Sequence, residues 1–370
     1  MTIHHLLALL LLAALLIGCG ASPQVTARPA AQSTLAAPPT ATAAPTATMP
    51  PTATALPTAA PTAIATVTPT QTPTVTATPT ITPDPYAGLT IADLRARPYG
   101  EGELKIERVL GASQAFTRTL ITYPSEGLTI YGFVNTPRGQ GPFPVAIVLH
   151  GYIDPQVYDT LAYTARYADA LARAGYLVVH PNLRGYPPSD DGPDRFRVGK
   201  AVDTLNLVAL IRQQAGQPGP LARANGAAIG LMGHSMGGGI TLRSMVVDPG
   251  IKAAVLYAAM NADERLNHEQ MLVWSNGARG REELQTPAAD LARISPVTYL
   301  EDIQAPVSIH HSVDDATVPY RWSADLYTQL QTLGKDAALY RYEKTPHTFR
   351  GEADQLFMQR MIAFFDAHLK

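Results

Sequence analysis

Short apolar runs alternate with longer segments of helical spacing along residues 86–370, and this alternation predicts a sheet covered by helices. The second and third runs should pair as a hairpin around Pro124-Ser125-Glu126-Gly127. The later runs are continuously apolar, which is typical of strands buried on both faces of a parallel sheet. The predicted strands are residues 104–110, 116–123, 128–135, 145–150, 176–180, 227–232, 253–257, 305–310 and 338–342.

Helical spacing separates most of these runs. The predicted helices are residues 158–173, 195–214, 321–333 and 353–368, and a helix-compatible segment also follows Ser235. Strands alternating with helices predict an α/β fold with a mostly parallel, doubly wound sheet and helices on both faces. Because ligands of such sheets bind beyond the carboxyl ends of the strands, the residues that follow each apolar run are the candidates for chemistry.

One predicted strand leads directly into Gly233-His234-Ser235-Met236-Gly237, the Gly-x-Ser-x-Gly layout of a nucleophile elbow. In such an elbow the serine stands on a tight, strained turn that exposes its hydroxyl. Gly233 and Gly237 are needed because a Cβ at either position would collide with neighbouring backbone. The N–H of Met236 should point toward a developing oxyanion. His234 is expected to pack or to hydrogen-bond locally.

Three other strand ends carry residues that complete this chemistry. His150-Gly151-Tyr152 follows one strand, and the bend at Gly151 would make the Tyr152 N–H a second oxyanion donor. Asp315 and His347 follow the last two strands. A serine hydroxyl needs a base to take its proton, and a carboxylate fixes the tautomer of that base. Ser235, His347 and Asp315 are therefore the predicted nucleophile, base and acid.

The segment Ser295-Pro296-Val297-Thr298-Tyr299-Leu300, followed by Asp315-Ala316-Thr317-Val318-Pro319, resembles the approach to the acid in the prolyl oligopeptidase family. The resemblance covers roughly residues 119–369 and includes Asn182-Leu183-Arg184-Gly185. It implies an α/β-hydrolase fold, whose chain order is Ser, Asp, His. It also implies Asp315 as the acid, since Asp314 is one place out of register.

Two departures from that family affect the expected substrate. No β-propeller is expected before the domain, and Ser312 stands where the family has glycine in the acid loop. Met236 and Tyr152 also resemble bacterial cutinases and other polyester-type esterases. Since a fold does not choose a substrate, ester and peptide bonds both stay open.

Other polar and apolar candidates have simpler explanations. His310 and His311 should face opposite ways along a strand, so no shared metal ion is expected. Arg184 is favoured as a donor that orders its own loop over a substrate clamp. Residues 261–294 are predicted to be a cap, in which Met271, Leu272 and Trp274 either line a substrate pocket or pack on the cap's own apolar face. No metal and no organic cofactor is required.

The first residues resemble a bacterial lipoprotein signal. Residues 6–17 are twelve apolar residues, too few for a bilayer crossing of roughly 20. They lead into Leu16-Ile17-Gly18-Cys19, which resembles a lipobox and implies lipidation of Cys19 after removal of residues 1–18. The segment departs from this pattern, because no Lys or Arg precedes the apolar run. An ordinary secretory signal with an incidental cysteine is the alternative. Cys19 is the only cysteine, so no intramolecular disulfide can form.

Residues 19–85 are predicted to be a disordered Ala/Thr/Pro-rich tether, because residues 21–85 hold 14 of the 32 prolines and only two charges. Residues 86–370 then form the catalytic domain. The net charge is −2 and the sequence contains no basic patch, so no nucleic-acid partner is expected. The expected partners are a membrane, reached through lipid at Cys19, and a small ester or peptide substrate, and the protein is expected to be monomeric.

The sequence thus predicts an extracytoplasmic, lipid-anchored serine hydrolase of the bacterial cell membrane that acts through an acyl-enzyme and slightly favours short acyl esters. A serine peptidase of the aminopeptidase or oligopeptidase type is the alternative among enzymes. A non-catalytic surface-binding lipoprotein is the alternative of another class.

Overall fold

The computed structural model describes residues 83–370. Cys19, the predicted signal and all but the last residues of the predicted tether lie outside the described residues. Within 83–370, none of the helices combines the length and the apolar character that a membrane crossing needs.

The described part is built on a nine-stranded sheet in the order β1-β2-β3-β5-β4-β6-β7-β8-β9. The first three strands pair antiparallel, β3 pairs antiparallel with β5, and all pairs from β5 to β9 are parallel. The strands are β1 (Lys105–Ala112), β2 (Phe116–Ser125), β3 (Leu128–Pro137), β4 (Phe143–Leu149), β5 (Leu177–Pro181), β6 (Ala224–His234), β7 (Ala253–Tyr257), β8 (Val307–Ser312) and β9 (Ala337–Tyr342).

Helices cover both faces of the sheet. They are α1 (Ile91–Ala96), α2 (Ala165–Arg173), α3 (Val198–Gln214), α4 (Met236–Val247), α5 (Glu264–Trp274), α6 (Arg281–Leu284), α7 (Ala288–Ile294), α8 (Tyr320–Thr332) and α9 (Gly351–Leu369). Three 3₁₀ helices span Pro155–Val157, Arg195–Arg197 and Pro296–Asp302.

The central strands are buried on both faces. Val145 and Ile147 of β4 pack into a core shared with α1, α3, α4 and α8, whereas Ala146 and Val148 pack into a second core shared with α2 and α9. Continuous apolar runs are therefore required, because neither side of a central strand meets water. The mixed sheet with helices on both faces is the predicted architecture.

The predicted hairpin is present, with Ser125 paired to Leu128 across a two-residue turn at Glu126 and Gly127. Both turn residues have positive φ, 52° and 79°, as a two-residue hairpin turn of this kind requires.

The helix predicted at residues 158–173 is wrong in its first half, because α2 begins only at Ala165. The carboxylates of Asp154 and Asp159 accept backbone N–H groups two residues further on, at 3.0 and 2.6 Å. Such local side-chain bonds compete with helical hydrogen bonds and hold this segment in turns.

Two other boundaries differ from the prediction. The helix expected from residue 195 begins at Val198, because Phe196 and Arg197 have φ of 55° and 59°. The strand expected at 305–310 is Val307–Ser312, so His311 lies inside β8 rather than after it. Helix α1 was not predicted, although Thr90 and Asp93 form a capping box that a sequence search could find.

Candidate active site

Ser235 lies on the sharp turn between β6 and α4. Its φ of 54° and ψ of −114° are unusual for a residue with a side chain, and such strain costs about 1–3 kcal/mol. The surrounding chain holds the turn: Ser235 N–H donates to Tyr257 O at 2.9 Å, and Met260 N–H donates to Ser235 O at 3.0 Å.

Gly233 and Gly237 allow three elements to converge at this turn. A Cβ at Gly233 would lie 2.2 Å from Gly237 O, and a Cβ at Gly237 would lie 2.4 Å from Leu149 O. Both distances are far below any real contact with backbone, so a larger residue at either position would push α4 away from β4 and β6.

Asp315 and His347 come together although 32 residues separate them. His347 Nδ1 lies 2.7 Å from Asp315 Oδ2, and Asp315 Oδ1 accepts the N–H groups of Thr317 and Val318 at 2.8 and 2.9 Å. The partners assign the proton of this imidazole to Nδ1, which leaves Nε2 as an acceptor.

The Asp315 side chain is fully buried, whereas that of His347 is 17% exposed. Burial acts to raise the pKa of Asp315, but hydrogen bonds from His311, His347 and Val318 outweigh it and hold that pKa below its ordinary value. The carboxylate therefore stays ionised beside His347.

The base and the nucleophile are connected less tightly than the base and the acid. Within residues 83–370, Ser235 Oγ makes no hydrogen bond to His347. Catalytic hydrogen bonds are often long without substrate and tighten in the complex. The two loops are nevertheless adjacent, since the rings of His347 and His234, the neighbour of Ser235, have centroids 4.6 Å apart.

The loop after β4 runs alongside the nucleophile. A Cβ at Gly151 would lie 3.1 Å from Ser235 Cβ, which places Tyr152 beside the elbow. In the described part of the chain, neither the Tyr152 N–H nor the Met236 N–H donates to another protein group. Both amides are therefore available to a ligand. The Met236 side chain contacts Tyr186, whose hydroxyl lies 3.8 Å from Met236 Sδ.

Sequence reasoning missed His311 as part of this site. Its Nε2 lies 3.1 Å from Asp315 Oδ2 and 3.0 Å from Val318 O, and its Nδ1 lies 2.7 Å from Ser323 Oγ. Val318 O can only accept, so Nε2 carries the proton and donates to Asp315. Placing the end of β8 two residues later would have revealed that His311 points toward the acid.

His310 faces the other side of β8, where its Nδ1 lies 2.9 Å from Tyr342 OH. The two adjacent histidines thus point in opposite directions, as expected. Among the described residues, no three His, Cys, Asp or Glu side chains are grouped so that they could hold a metal ion.

Asp314 holds the backbone of the histidine loop rather than its imidazole. Its Oδ2 accepts the Lys344 N–H at 2.6 Å. The neighbouring Ser312 hydroxyl donates to Thr345 O. Ser312, at the position where the prolyl oligopeptidase family has glycine, therefore uses its side chain to fix the loop that carries His347.

Arg184 orders its own loop, as the sequence favours. Its guanidinium is buried and donates to Asp203 and Glu126, at 2.7 and 2.9 Å, and to Pro193 O at 2.9 Å. These contacts satisfy the group internally.

Helices α5, α6 and α7 occupy the predicted cap. Trp274 Nε1 donates to Thr317 O at 3.0 Å, and Arg279 donates to the hydroxyl of Tyr152 at 3.1 Å. Met271 is half-buried, with its Sδ 3.5 Å from Arg197 Nη1, whereas Trp274 is 41% exposed. The cap therefore touches both the acid loop and the predicted oxyanion loop.

The sheet order, the elbow after β6 and the helices on both faces define an α/β-hydrolase fold. Residues 213–370 match the prolyl oligopeptidase family. That match includes Ser235, Asp315 and His347, and it begins later than the expected resemblance from residue 119.

Three comparisons place this fold among known hydrolases. The chain is 19% identical over 239 residues to the "Putative carboxymethylenebutenolidase" of Synechocystis sp., covering 62% of this chain and 85% of that protein. It is 21% identical to the acylaminoacyl peptidase of Pyrococcus horikoshii, with a TM-score of 0.55 over 69% of this chain and 42% of that one. It is 16% identical to acetyl xylan esterase 1 of Thermoanaerobacterium sp., with a TM-score of 0.54 over 75% and 92%.

This chain spans less than half the length of the acylaminoacyl peptidase that it matches. At these identities the solved structures show a shared fold, and together with the family match they support a hydrolase. They do not choose between a peptidase and an esterase, since both occur among the neighbours.

Proposed function

We propose that the protein is a serine hydrolase that cleaves carboxylic ester or peptide bonds through Ser235, His347 and Asp315. The observation that carries the proposal is the 2.7 Å contact between His347 Nδ1 and Asp315 Oδ2, on loops beside a strained serine turn. A binding protein would not need a buried, ionised carboxylate aimed at an accessible imidazole.

In the proposed reaction, Ser235 Oγ attacks the substrate carbonyl while His347 Nε2 takes its proton. Asp315 keeps the imidazole in the required tautomer and stabilises the imidazolium. The N–H groups of Tyr152 and Met236 donate to the oxyanion of the tetrahedral intermediate. His347 then protonates the leaving group. In the second half of the reaction, His347 takes a proton from water, which attacks the acyl group, and returns that proton to Ser235 Oγ.

Short acyl esters are the proposed substrates, and serine peptidase activity is the second candidate. The likeness to an acetyl xylan esterase supports the first. The prolyl oligopeptidase match and the likeness to an acylaminoacyl peptidase favour the second.

Labelling with a fluorophosphonate probe tests the proposal. The parent protein should be labelled, and Ser235→Ala should lose both the label and nearly all turnover, by roughly 10⁴ to 10⁶. Equal labelling of the parent and the variant would reject Ser235 as nucleophile. An unlabelled, inactive parent would favour a non-catalytic surface protein.

We also propose that the protein is exported and anchored by lipid at Cys19. The support is the sequence Leu16-Ile17-Gly18-Cys19 after an apolar run. Metabolic labelling with a palmitate analogue should mark the parent and not Cys19→Ser. Labelling that persists in the variant would contradict the anchor and leave the secretory alternative.

A further inference from the structure

His234, the variable residue of the Gly-x-Ser-x-Gly segment, contacts two loops of the candidate site. Its ring is buried, with Nδ1 hydrogen-bonded to the Tyr163 hydroxyl and Nε2 3.2 Å from His347 O. The same Tyr163 hydroxyl lies 3.0 Å from Gly151 N, just before the predicted oxyanion donor Tyr152.

The partners at the two ends assign every proton in this chain of contacts. Gly151 N–H can only donate, so the Tyr163 oxygen accepts there. His347 O can only accept, so His234 Nε2 must carry a proton. In its neutral form, His234 therefore donates at Nε2 and accepts the Tyr163 hydroxyl proton at Nδ1.

Burial supports the same assignment. It raises the pKa of Tyr163, so the phenol keeps the proton that it donates. Burial, and next the proximity of His347, lower the pKa of His234 far below its usual range. Two neutral groups thus satisfy each other.

We propose that Tyr163 and His234 are positioning residues that tie the predicted oxyanion loop to the loop carrying His347, and we call this chain of contacts the Tyr163–His234 link. The inference rests on the proposed function. His234 adjoins Ser235 in sequence, so one side chain fixes the spacing between nucleophile, oxyanion donor and base.

The close packing around the link explains why small shifts would matter. A Cβ at Gly151 would lie 2.7 Å from Tyr163 OH and 3.0 Å from His234 Nδ1. The histidine loop is fixed elsewhere too, since Phe349 N–H donates to Tyr257 OH and Phe349 O accepts from Arg166 at 3.2 Å. Loss of the link should therefore shift the reacting groups without unfolding the loop.

The test measures kcat and KM of the full-length protein for p-nitrophenyl butyrate. Tyr163→Phe and His234→Leu should each lower kcat by about 10- to 100-fold, the effect of a small misplacement of reacting groups, with KM nearly unchanged. The double variant should be no slower than His234→Leu, because the link is already broken there. Additive losses would overturn the proposal.

Two further variants separate positioning from a general effect on the fold. His234→Asn keeps an acceptor near the position of Nδ1 and should recover part of the kcat lost in His234→Leu; no recovery would count against the link. Tyr158→Phe is the matched control, since its hydroxyl lies in the same segment, 3.2 Å from Asn182 Oδ1, and should change kcat little. An equal loss in Tyr158→Phe would overturn the proposal.

Each variant is assayed below its own unfolding temperature. If His234→Leu does not fold, Tyr163→Phe still tests the link, because that substitution removes only one oxygen. In one outcome, the parent is active and labelled by fluorophosphonate while Tyr163→Phe and His234→Leu keep its kcat. That result contradicts the link alone. A parent that is neither labelled nor active overturns the link together with the proposed function.

Discussion

Asp314 and Asp315 are adjacent carboxylates with different partners, and the difference assigns them different roles. Asp315 is buried against His347 and His311, whereas Asp314 accepts a backbone N–H of the histidine loop. Asp315 is the proposed acid on two grounds. One is the register that the sequence resemblance implies, and the other is the direction of its side chain toward His347 in the structure.

Asp315→Asn should lower kcat by about 10⁴, because an amide at this position favours the wrong tautomer of His347. Asp314→Asn should cost far less, since an amide oxygen can still accept the Lys344 N–H. Steady-state kinetics on one p-nitrophenyl ester give both values under identical conditions. A larger loss in Asp314→Asn would move the catalytic acid to that residue.

Residues within short motifs could be proposed from sequence, but their supporting partners could not. Ser235 is marked by two glycines two residues away, and His347 by its place after a predicted strand. His311 was missed because its direction depends on where β8 ends. Tyr163 was placed in a helix, although it lies in the turns before α2, and its contact with His234 spans 71 residues. No local pattern encodes such a distant contact.

The cap is fixed to the rest of the protein by buried charge. Glu264, at the start of α5, accepts hydrogen bonds from Arg197 and Arg243 in the interior. Burial lowers the pKa values of both guanidinium groups, to about 10 for Arg197 and about 9 for Arg243. A buried charge that loses its partner is costly, so this cluster fixes one end of the cap while its other end meets the active-site loops.

At the far end of α5, Trp274 is the predicted pocket residue that the structure places next to the acid loop. Trp274→Ala should raise KM for a p-nitrophenyl octanoate by about ten-fold, or ~1.4 kcal/mol, and should leave the acetate nearly unchanged. Val273→Ala is the control, because Val273 is adjacent and 68% exposed. Equal effects on both esters would show that Trp274 does not contact the acyl chain.

Strands were easier to predict than helices in this chain. The central strands are buried on both faces, so each one is a continuous apolar run between polar loops, and β7 has the predicted bounds. Helices α2 and α3 start where Asp side chains or positive φ values hold the backbone in turns. Those choices depend on local polar bonds, which apolar periodicity does not detect.

At the scale of the whole molecule, the order of elements predicted an α/β fold with a mostly parallel sheet, and the resemblance of the acid loop implied the α/β-hydrolase fold. Alternating strands and helices admit few topologies, and chemistry at strand ends then falls on one edge of the sheet. Substrate choice did not follow, because it depends on what covers that edge. The sequence could name the cap but not the contacts that its Trp274 and Arg279 make.

The cover of the site bears on the last prediction, the preference for esters over amides. Helices α5 to α7 form the insertion that reaches the active-site loops, and residues 83–370 contain no propeller domain. A site with so small a cover should be open. In an open site an ester reacts more readily than an amide, because its alkoxide leaves with less help from a proton donor.

We therefore expect kcat/KM for short alkyl esters, such as an ethyl butyrate, to exceed that for release of N-terminal residues from unmodified peptides. Natural bonds are the decisive substrates, since activated p-nitrophenyl esters react readily for intrinsic reasons. Ser235→Ala serves as the blank in both assays and removes the contribution of contaminating hydrolases. Rapid release of N-terminal residues, with negligible turnover of alkyl esters, would overturn the ester preference and establish the peptidase alternative.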